Sequence, residues 1–498
     1  MGGRHTRRQF VRRGSTAALV AASAPALLLT ASSPAATTAE LRRRLRGTLV
    51  TPRDPGWAAA RALYNPRLDV TPRAIAFCET TADVSQVMRF ARSSGWPVAG
   101  RGGRHSFGGY ANVPGGIVAD VSRIDAVELD GDRRIVRIGG GANVLDVFRD
   151  LVMAHGLVVP VGTCPTVGIA GLTLGGGFGR SMRRHGVTAD SLRAATVVLA
   201  DGRVVRCSED TRADLFWALR GGGAGYAIVT QLRFAARTGA APIAFTLSYP
   251  WAQAPAAIDA WQRTLPGAST TLAHGRLRAL HSPNGALTLT ASGHWHGSEA
   301  ALRDLLAPLV AAGPARTTLR KRTVVDAALP DNVQLRDGGP VIVDPPRFPN
   351  YQRSAFFEAP LPAAAIAALV AQIERWPGVG GSGHEGGVQL DALGAAVNHP
   401  QPRSTAFVHR RQRMHCAFLS FWGKRDPAAM ATACAQWTRD TEATLRPYAS
   451  GFAFQNYIDA ELAGWEHAYY GANLARLKAV KRRYDPAGRL DFVQGIRF

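Results

Sequence analysis

The stretch that decides the fold is a glycine-rich loop with a histidine near its start; it covers residues 101–122 and reads RGGRHSFGGYANVPGGIVADVS. Segments 97–100 and 117–120 have the composition of strands, and 81–94 has the pattern of an amphipathic helix. Because glycine has no side chain, such loops let backbone N–H groups approach a pyrophosphate closely. The pattern indicates a mixed α+β fold that holds a cofactor.

A Rossmann-type dinucleotide site is the obvious alternative, and the sequence matches it poorly. The glycines at 139–141 follow a predicted strand at 135–138 and precede a predicted helix at 143–154. However, Val144 stands where the third glycine of that fingerprint belongs. We therefore expect several glycine loops to converge on the cofactor.

A second glycine-dense stretch, residues 162–179, reads GTCPTVGIAGLTLGGGFG and contains Cys164. The five cysteines, at positions 78, 164, 207, 416 and 434, lack the close pairs of a zinc site, and no metal site is predicted. An odd count leaves at least one cysteine outside any internal disulfide. Cys164 is the one that we single out.

Both stretches resemble those of the berberine bridge enzyme-like flavoproteins, which share an FAD-binding fold with vanillyl-alcohol oxidase. In that family the histidine after the glycines bonds to the isoalloxazine ring, and members with two links attach the ring to a cysteine directly before Pro-Thr-Val-Gly. The resemblance implies FAD attached covalently to His105 and Cys164. It also implies FAD-binding roles for Arg101, Gly102, Gly103, Arg104, Ser106, Gly162, Thr163, Thr166, Val167, Gly168, Gly171, Gly175 and Asn456.

The similarity spans about residues 64–234 and 451–498, with its motifs in the family's order. It implies an α+β protein with a two-lobed PCMH-type FAD-binding domain and a separate α+β substrate domain, in which helices cover an antiparallel sheet. The expected boundaries are 1–39 for an export signal, 40–238 for the FAD-binding domain, 239–447 for the substrate-binding domain and 448–498 for a C-terminal segment that returns to the FAD domain.

Oxidation of an alcohol carbon by flavin needs a base that removes the hydroxyl proton as hydride leaves. The resemblance assigns this role to Tyr457 of the Asn-Tyr-x-Asp motif. A free tyrosine, with a pKa near ~10, is a poor base at neutral pH unless its phenolate is stabilised. A packing aromatic between lobes is the alternative for Tyr457, and Gln389, Asp391 and His415 are candidate polar residues of the substrate pocket.

Three positions depart from the family pattern. Leu172 stands where relatives often carry a histidine, and Phe178 stands where plant members carry a tyrosine. Strand 414–422, where the alkaloid-cyclising members place a glutamate base, contains no carboxylate. The last departure argues against ring closure and for simple oxidation.

Val167 bears on the electron acceptor. In the family, a valine here is associated with access of oxygen to the flavin, whereas isoleucine or leucine is associated with dehydrogenases. The resemblance thus implies an oxidase that passes hydride from an alcohol or hemiacetal carbon to FAD and then to O2, giving H2O2. Two alternatives stay open: a dehydrogenase with a quinone or protein acceptor, and a non-catalytic flavin-bearing binding protein.

The N-terminus predicts export to a secreted location. Arg7 and Arg8 precede a short apolar run, about 15–30, which is cut by Pro25. This is the layout of a twin-arginine signal, cleaved between Ala31 and Ala39, and the run is too short to span a membrane.

The formal net charge of +23 comes from scattered arginines without dense basic runs interleaved with aromatics. It therefore favours a solvated basic surface over a nucleic-acid site. The expected partners are O2 and a small-molecule substrate, either a sugar, a glycoside or a secondary metabolite. No nucleic acid and no stable membrane insertion are expected.

Overall fold

The computed structural model describes residues 37–132, 134–343 and 347–498. The predicted signal peptide, 1–39, lies outside the described residues except for its last three positions. Across the described ranges, helices and strands alternate in the mixed α+β order that the sequence predicts, and three main sheets form. No helix in these ranges is long and apolar enough to cross a bilayer.

The first sheet supports the histidine loop. Its strands, in the order β1-β2-β4-β3, are β1 (Thr48–Val50), β2 (Ala74–Phe77), β3 (Val98–Arg101) and β4 (Ile117–Asp120), and the helices beside them are α1 (Thr38–Arg44), α2 (Trp57–Arg61) and α3 (Thr81–Ser94). A capping box between Thr80 and Asp83 starts α3, and Gly95, with a φ of 73°, ends it. Because β2 and β3 both pair with β4 in parallel, the loop after Arg101 begins at a carboxyl strand end, where such sheets commonly bind ligands.

The second sheet is antiparallel and carries the other glycine loops. The strands of this region are β5 (Val127–Leu129), β6 (Ile135–Gly139), β7 (Leu157–Val158), β8 (Leu192–Val198), β9 (Val204–Ser208), β10 (Ile228–Ala235) and β11 (Arg237–Thr238). The sheet order is β5-β6-β10-β8-β9, and β7 pairs with β11 separately. The helices are α4 (Val144–Val147), which continues as a π-helical turn over 148–153, α5 (Ile169–Leu174), α6 (Met182–His185) and α7 (Ala213–Ala218).

The third region contains β12 (Ile243–Tyr249), β13 (Leu272–His281), β14 (Leu287–Trp295), β15 (Arg316–Lys321), β16 (Val333–Arg336), β17 (Gly339–Ile342), β18 (Asn350–Phe357), β19 (Gly386–Ala392) and β20 (Met414–Phe421). Strands β16 and β17 form a hairpin of their own. The remaining seven form one antiparallel sheet in the order β15-β12-β14-β13-β19-β20-β18. The helices of this region are α8 (Ala254–Thr264), α9 (Glu299–Ala311), α10 (Val324–Ala328), α11 (Ala363–Glu374) and α12 (Ala428–Leu445).

Alternation along the strands gives this third sheet two unlike faces. Apolar side chains such as Leu289, Leu390 and Phe418 share one core with helical residues such as Trp261 and Leu369. Successive residues of a strand point to opposite faces, so the intervening polar side chains lie on the other face.

The C-terminal segment packs against the first two sheets. Its helices are α13 (Trp465–Tyr470) and α14 (Leu474–Tyr484). Buried Lys481 forms an ion pair of 2.7 Å with Asp485 and donates to the carbonyl of Gly225 at 2.7 Å. The backbone N–H of Val98 donates to the carbonyl of Arg489 at 2.9 Å. The domain boundaries after residues 39, 238 and 447 stay predictions.

Candidate active site

The histidine loop and the cysteine loop contact each other through glycines. A Cβ on Gly103 would lie 2.3 Å from the backbone nitrogen of Gly168 and 2.6 Å from the carbonyl oxygen of Thr166. The loop after β6 joins them, because Val144 donates its N–H to the carbonyl of Val167 at 3.1 Å. Three glycine loops therefore converge, as the sequence predicts.

The histidine loop leaves a row of backbone donors unused. Within the described residues, no protein group accepts a hydrogen bond from the N–H groups of residues 102–106. Arg104 in the middle of this row has a φ of 65°, in the left-handed region that produces concave arrangements of N–H groups. Such a concavity binds anions, so the loop fits the pyrophosphate of a dinucleotide cofactor.

His105 and Cys164 meet at the hydroxyl of Thr166. The Nε2 of His105 lies 2.8 Å from Thr166 Oγ1 and is joined to it by a hydrogen bond, while the Sγ of Cys164 lies 3.8 Å from the same oxygen. Tyr64 stacks on the imidazole with the ring centroids 3.8 Å apart. Burial, reinforced by the positive charge of Arg347, lowers the pKa of His105 to about 3, so its imidazole is unprotonated at neutral pH.

Several of the other expected FAD-binding side chains instead fix the loops. Arg101 is fully buried and bonds Asp120 at 2.6 Å and Asn112 at 2.8 Å. The hydroxyl of Ser106 accepts from the N–H of Tyr110 at 3.0 Å. Asn456 donates to the carbonyl of Leu172 at 3.0 Å and fills the space in which a side chain at Gly175 would lie.

The remaining expected positions lie in the same loop. Val167 is half-buried and packs against the core around the second sheet, and the carbonyl of Thr163 accepts from the N–H of Asp331 at 2.8 Å. Gly162 touches Leu172 and Phe178. Gly171 has open space where a Cβ would point. These residues lie in or against the histidine and cysteine loops, and their roles toward FAD stay predictions.

The candidate substrate residues lie together on the polar face of the third sheet. Strand register places Arg276 opposite Asp391 and places Asp391 opposite His415. Arg276 donates to Asp391 at 2.8 Å, and Gln389 donates to the same carboxylate at 3.0 Å. The neighbouring Arg276 holds the pKa of buried Asp391 well below its ordinary value despite burial, so this group is a carboxylate at neutral pH.

Arg276, Asp391 and His415 form a polar row across the third sheet. Tyr457 lies beside this polar row, in a short helical turn over 455–457. Its ring centroid is 5.3 Å from that of His415 and 5.4 Å from that of Phe107 in the histidine loop. Burial, and next the charge of Asp391, raise the pKa of Tyr457 to about 12, whereas Arg276 acts in the opposite direction. The ring contacts with Phe107 and His415 place the phenol between the histidine loop and the polar face of the third sheet.

His415 is enclosed by aromatic rings. Its side chain is fully buried, and its ring lies 5.4 Å from Phe178 and 5.3 Å from Phe356. Neither of its nitrogens has a hydrogen-bond partner in the described part of the chain. Phe178, the departure from the tyrosine of plant members, stacks on Phe454 at 4.1 Å and is thus a wall of this enclosure.

Sequence reasoning missed Arg276, Tyr64 and the ion pair between Arg180 and Asp331. The signal for Arg276 was available in β13, where His274, Arg276 and Arg278 alternate with apolar residues. Such alternation indicates a strand with one polar face. Its proximity to Asp391 follows only from the pairing of β13 with β19.

Comparisons with known proteins agree with this geometry. A family model described as "FAD binding domain" matches residues 72–208, and one described as "Berberine and berberine like" matches residues 453–497. The fold and the glycine loops thus define an FAD-linked oxidoreductase of the PCMH type, and the α+β prediction is confirmed.

Relatives extend over nearly the whole chain. The uncharacterized FAD-linked oxidoreductase YgaK of Bacillus subtilis is 30% identical over 462 residues, which cover 91% of this chain and 98% of the relative. The chitooligosaccharide oxidase of Gibberella zeae is 31% identical, with 89% and 90% covered. A solved glucooligosaccharide oxidase from Acremonium strictum, described as carrying a 6-S-cysteinyl, 8α-N1-histidyl FAD, has a TM-score of 0.78 at 25% identity, with 91% and 97% covered. The chain belongs to the berberine bridge enzyme-like family of FAD-linked oxidoreductases.

Proposed function

We propose that this protein is an exported oxidase whose FAD is attached at both His105 and Cys164. It oxidises an alcohol or hemiacetal carbon of a sugar or natural product and passes the electrons to O2, giving H2O2. The observation that carries this proposal is the convergence of His105 and Cys164 on Thr166 Oγ1, with Tyr457 in ring contact with Phe107 of the histidine loop.

The state of His105 supports attachment. A nitrogen that bonds to carbon must offer its lone pair, and a protonated imidazole has none free. Because the pKa of His105 is lowered to about 3, its imidazole has a free lone pair at neutral pH. Tyr64 and Thr166 restrict the ring orientation from two directions, which favours one direction of bond formation.

The oxidation itself needs a proton acceptor from the chain. FAD, when bound, supplies the hydride acceptor. Tyr457 takes the hydroxyl proton, and Arg276 favours the phenolate because its positive charge lowers the pKa that burial and Asp391 raise. Asp391 keeps Arg276 in place through the 2.8 Å hydrogen bond.

A neutral, hydroxyl-rich substrate is compatible with the polar face of the third sheet. The oligosaccharide oxidases among the relatives and solved neighbours support a carbohydrate donor. Export through the predicted twin-arginine signal suits a cofactor that is loaded before secretion. The valine at 167 supports O2 as the acceptor.

Mass spectrometry of the denatured polypeptide tests the attachment. We expect a mass increased by one FAD in the parent protein and in each of the variants His105→Ala and Cys164→Ala, and loss of the flavin in the double variant. An unmodified mass beside free FAD would refute covalent attachment.

A peroxide-coupled screen of sugars and glycosylated metabolites tests the oxidase activity. Substrates found in the screen are then used to reduce the enzyme without oxygen, followed by an oxygen challenge. Rapid reoxidation supports the oxidase, whereas a reduced flavin that persists in oxygen and is reoxidised by a quinone would assign a dehydrogenase.

A further inference from the structure

A cleft separate from the candidate active site lies beside the cysteine loop and has a volume of about 90 Å3. Its lining includes neither His105, Thr166, Asn456 nor Tyr457. It reaches the cysteine loop at residues 162–163, directly before Cys164. Helix α4 and its π-helical turn form one side, and β14 with helix α10 forms the other.

The floor of this cleft is apolar. Val144 and Val147 of α4, Phe148 of the π-helical turn and Val159, directly after β7, line it and are all buried. Ala327 and Ala328 of α10 contribute to the opposite wall. Such a floor favours an alkyl or aryl group over a sugar ring, because the complex is stabilised when apolar surface of the ligand and of the floor is removed from water.

The remaining lining is basic. Arg180, Arg184, His185, His294 and His296 face the cleft, and no aspartate or glutamate is among the lining residues. Arg180 is paired with Asp331. Arg184 makes no ion pair within the described residues, and in the same part of the chain the buried Nδ1 of His296 has no hydrogen-bond partner.

The histidines of this cleft are uncharged at neutral pH, and the arginines near them contribute to this. The pKa of His185 is lowered to about 4 by burial and by Arg237, Arg184 and His296. The pKa of His296 is lowered by burial and by Arg184. Arg184, which is half-buried and has no carboxylate partner among the described residues, is available to pair with an anion that enters the cleft.

We propose that this cleft binds the carboxylate end of an organic molecule with an apolar body, with Arg184 and His296 as the anion contacts. The apolar body lies on the valine floor. Basic residues outnumber acidic ones along the chain even without the predicted signal peptide, and this excess of positive charge attracts such an anion from solution.

The cleft lies close to the polar face of the third sheet that carries Asp391. The ring of His294 in the cleft lies 6.2 Å from that of His274, and the Nε2 of His274 lies 3.7 Å from Asp391. The carboxylate therefore belongs either to the far end of the oxidised substrate, a reading that rests on the proposed oxidase function, or to a separate acid. Both share the same chemistry at Arg184.

Calorimetry on the flavin-loaded protein tests the site without turnover. The probes are 4-phenylbutanoate and its neutral amide, 4-phenylbutanamide. We expect the acid to bind about tenfold or more tightly than the amide, as a charge-assisted hydrogen bond would produce. Arg184→Gln should abolish this difference, whereas Arg43→Gln, which removes the same charge from exposed α1, should leave it unchanged.

The outcomes are decisive in both directions. Equal affinity for acid and amide, absence of binding, or an unchanged preference in Arg184→Gln overturns the proposal. Ala328→Trp, which fills the apolar side, should weaken binding of both probes and keeps the test valid if Arg184→Gln does not fold. If 4-phenylbutanoate competes with the alcohol substrate found in the peroxide-coupled screen, the cleft is part of the substrate site. If it binds without competing, the cleft binds a separate acid. Failure of the oxidase proposal would leave the calorimetric result unaffected.

Discussion

The glycine loops around His105 pack closely because glycine has no side chain, whereas the polar face of the third sheet is held together by hydrogen bonds between its side chains. In the loops, Gly103 and Gly168 allow backbone to touch backbone. On the sheet, the 2.8 Å bond from Arg276 to Asp391 joins strands that are paired in register.

The two regions should therefore differ in the substitutions that they tolerate. The loops should tolerate no added atom at Gly103, because the neighbouring atoms are backbone and cannot move independently. The sheet should tolerate changes of shape better than changes of charge, because Asp391 and Arg276, after burial, have the largest influence on the pKa of Tyr457. The predictions below test each side of the comparison.

The largest effect is expected on the sheet side, at Tyr457. Tyr457→Phe should slow anaerobic flavin reduction by ~100-fold or more, the loss typical of removing a general base. Reoxidation by O2 should be nearly unchanged, since the proton has left before oxygen reacts. Stopped-flow absorbance measures both half-reactions.

The flavin content of Tyr457→Phe serves as its control and should equal that of the parent. Reduction at close to the parental rate would remove Tyr457 from the mechanism and make Asp391 and His415 the next residues to test.

The loop side is tested by a matched pair of glycines. Gly103→Ala should destabilise the protein by about 1–3 kcal/mol, the usual cost of overpacking, because its Cβ would lie 2.3 Å from the nitrogen of Gly168. The separated loops should also lower the fraction of chains with covalent flavin. Thermal unfolding and flavin fluorescence of the denatured protein measure the two effects.

Gly267→Ala is the control, since nothing lies within 4 Å of a Cβ there and the residue lies outside the glycine loops. Equal losses in the two variants would show that the contact between Gly103 and Gly168 does not control assembly of the site.

The pH dependence of anaerobic flavin reduction distinguishes Tyr457 from Asp391 as the base. With the pKa of Tyr457 at about 12, its phenolate fraction is small at neutral pH and rises with pH. If the phenolate is the base, the rate of anaerobic reduction should increase about tenfold per pH unit between about pH 7 and 10. Asp391, with its pKa well below the ordinary value, would be ionised throughout, so a flat profile would favour it as the base.

The smallest effect is expected at Val167, which lies in the cysteine loop between Thr166 and Gly168. Val167→Ile adds one methylene and should slow reoxidation by O2 several-fold while leaving reduction by substrate nearly unchanged. Val167 also packs against the core of the second sheet, so equal slowing of both half-reactions would indicate a packing role alone.

The first region was the more predictable one. Helix α3 begins and ends at the residues expected from the sequence, Thr81 and Ser94, because the capping residue and the terminal glycine are adjacent to them in the chain. The loops at His105 and Cys164 are likewise contiguous motifs. Their signals are local, so sequence alone located them.

The polar row of Arg276, Asp391 and His415 could be predicted only in part from the sequence. Asp391 and His415 were found as polar residues in apolar strands, but Arg276 was not. Its contact with Asp391 joins residues 115 positions apart and depends on which strands pair. The π-helical turn over 148–153 was also missed, since a helix predicted at 143–154 carries no signal for the one-residue change in its hydrogen bonding.

The contacts of the C-terminal segment have a consequence for the order of events during synthesis. The side chain of Arg489 reaches the carbonyl of Ala91 across 398 positions, and the Arg489 carbonyl completes the edge of β3. The first sheet therefore lacks this edge contact until residue 489 has been synthesised, although all of its strands lie within residues 48–120. Domains generally fold as units from the N-terminus during translation, but this lobe depends on a segment that is made after the third region.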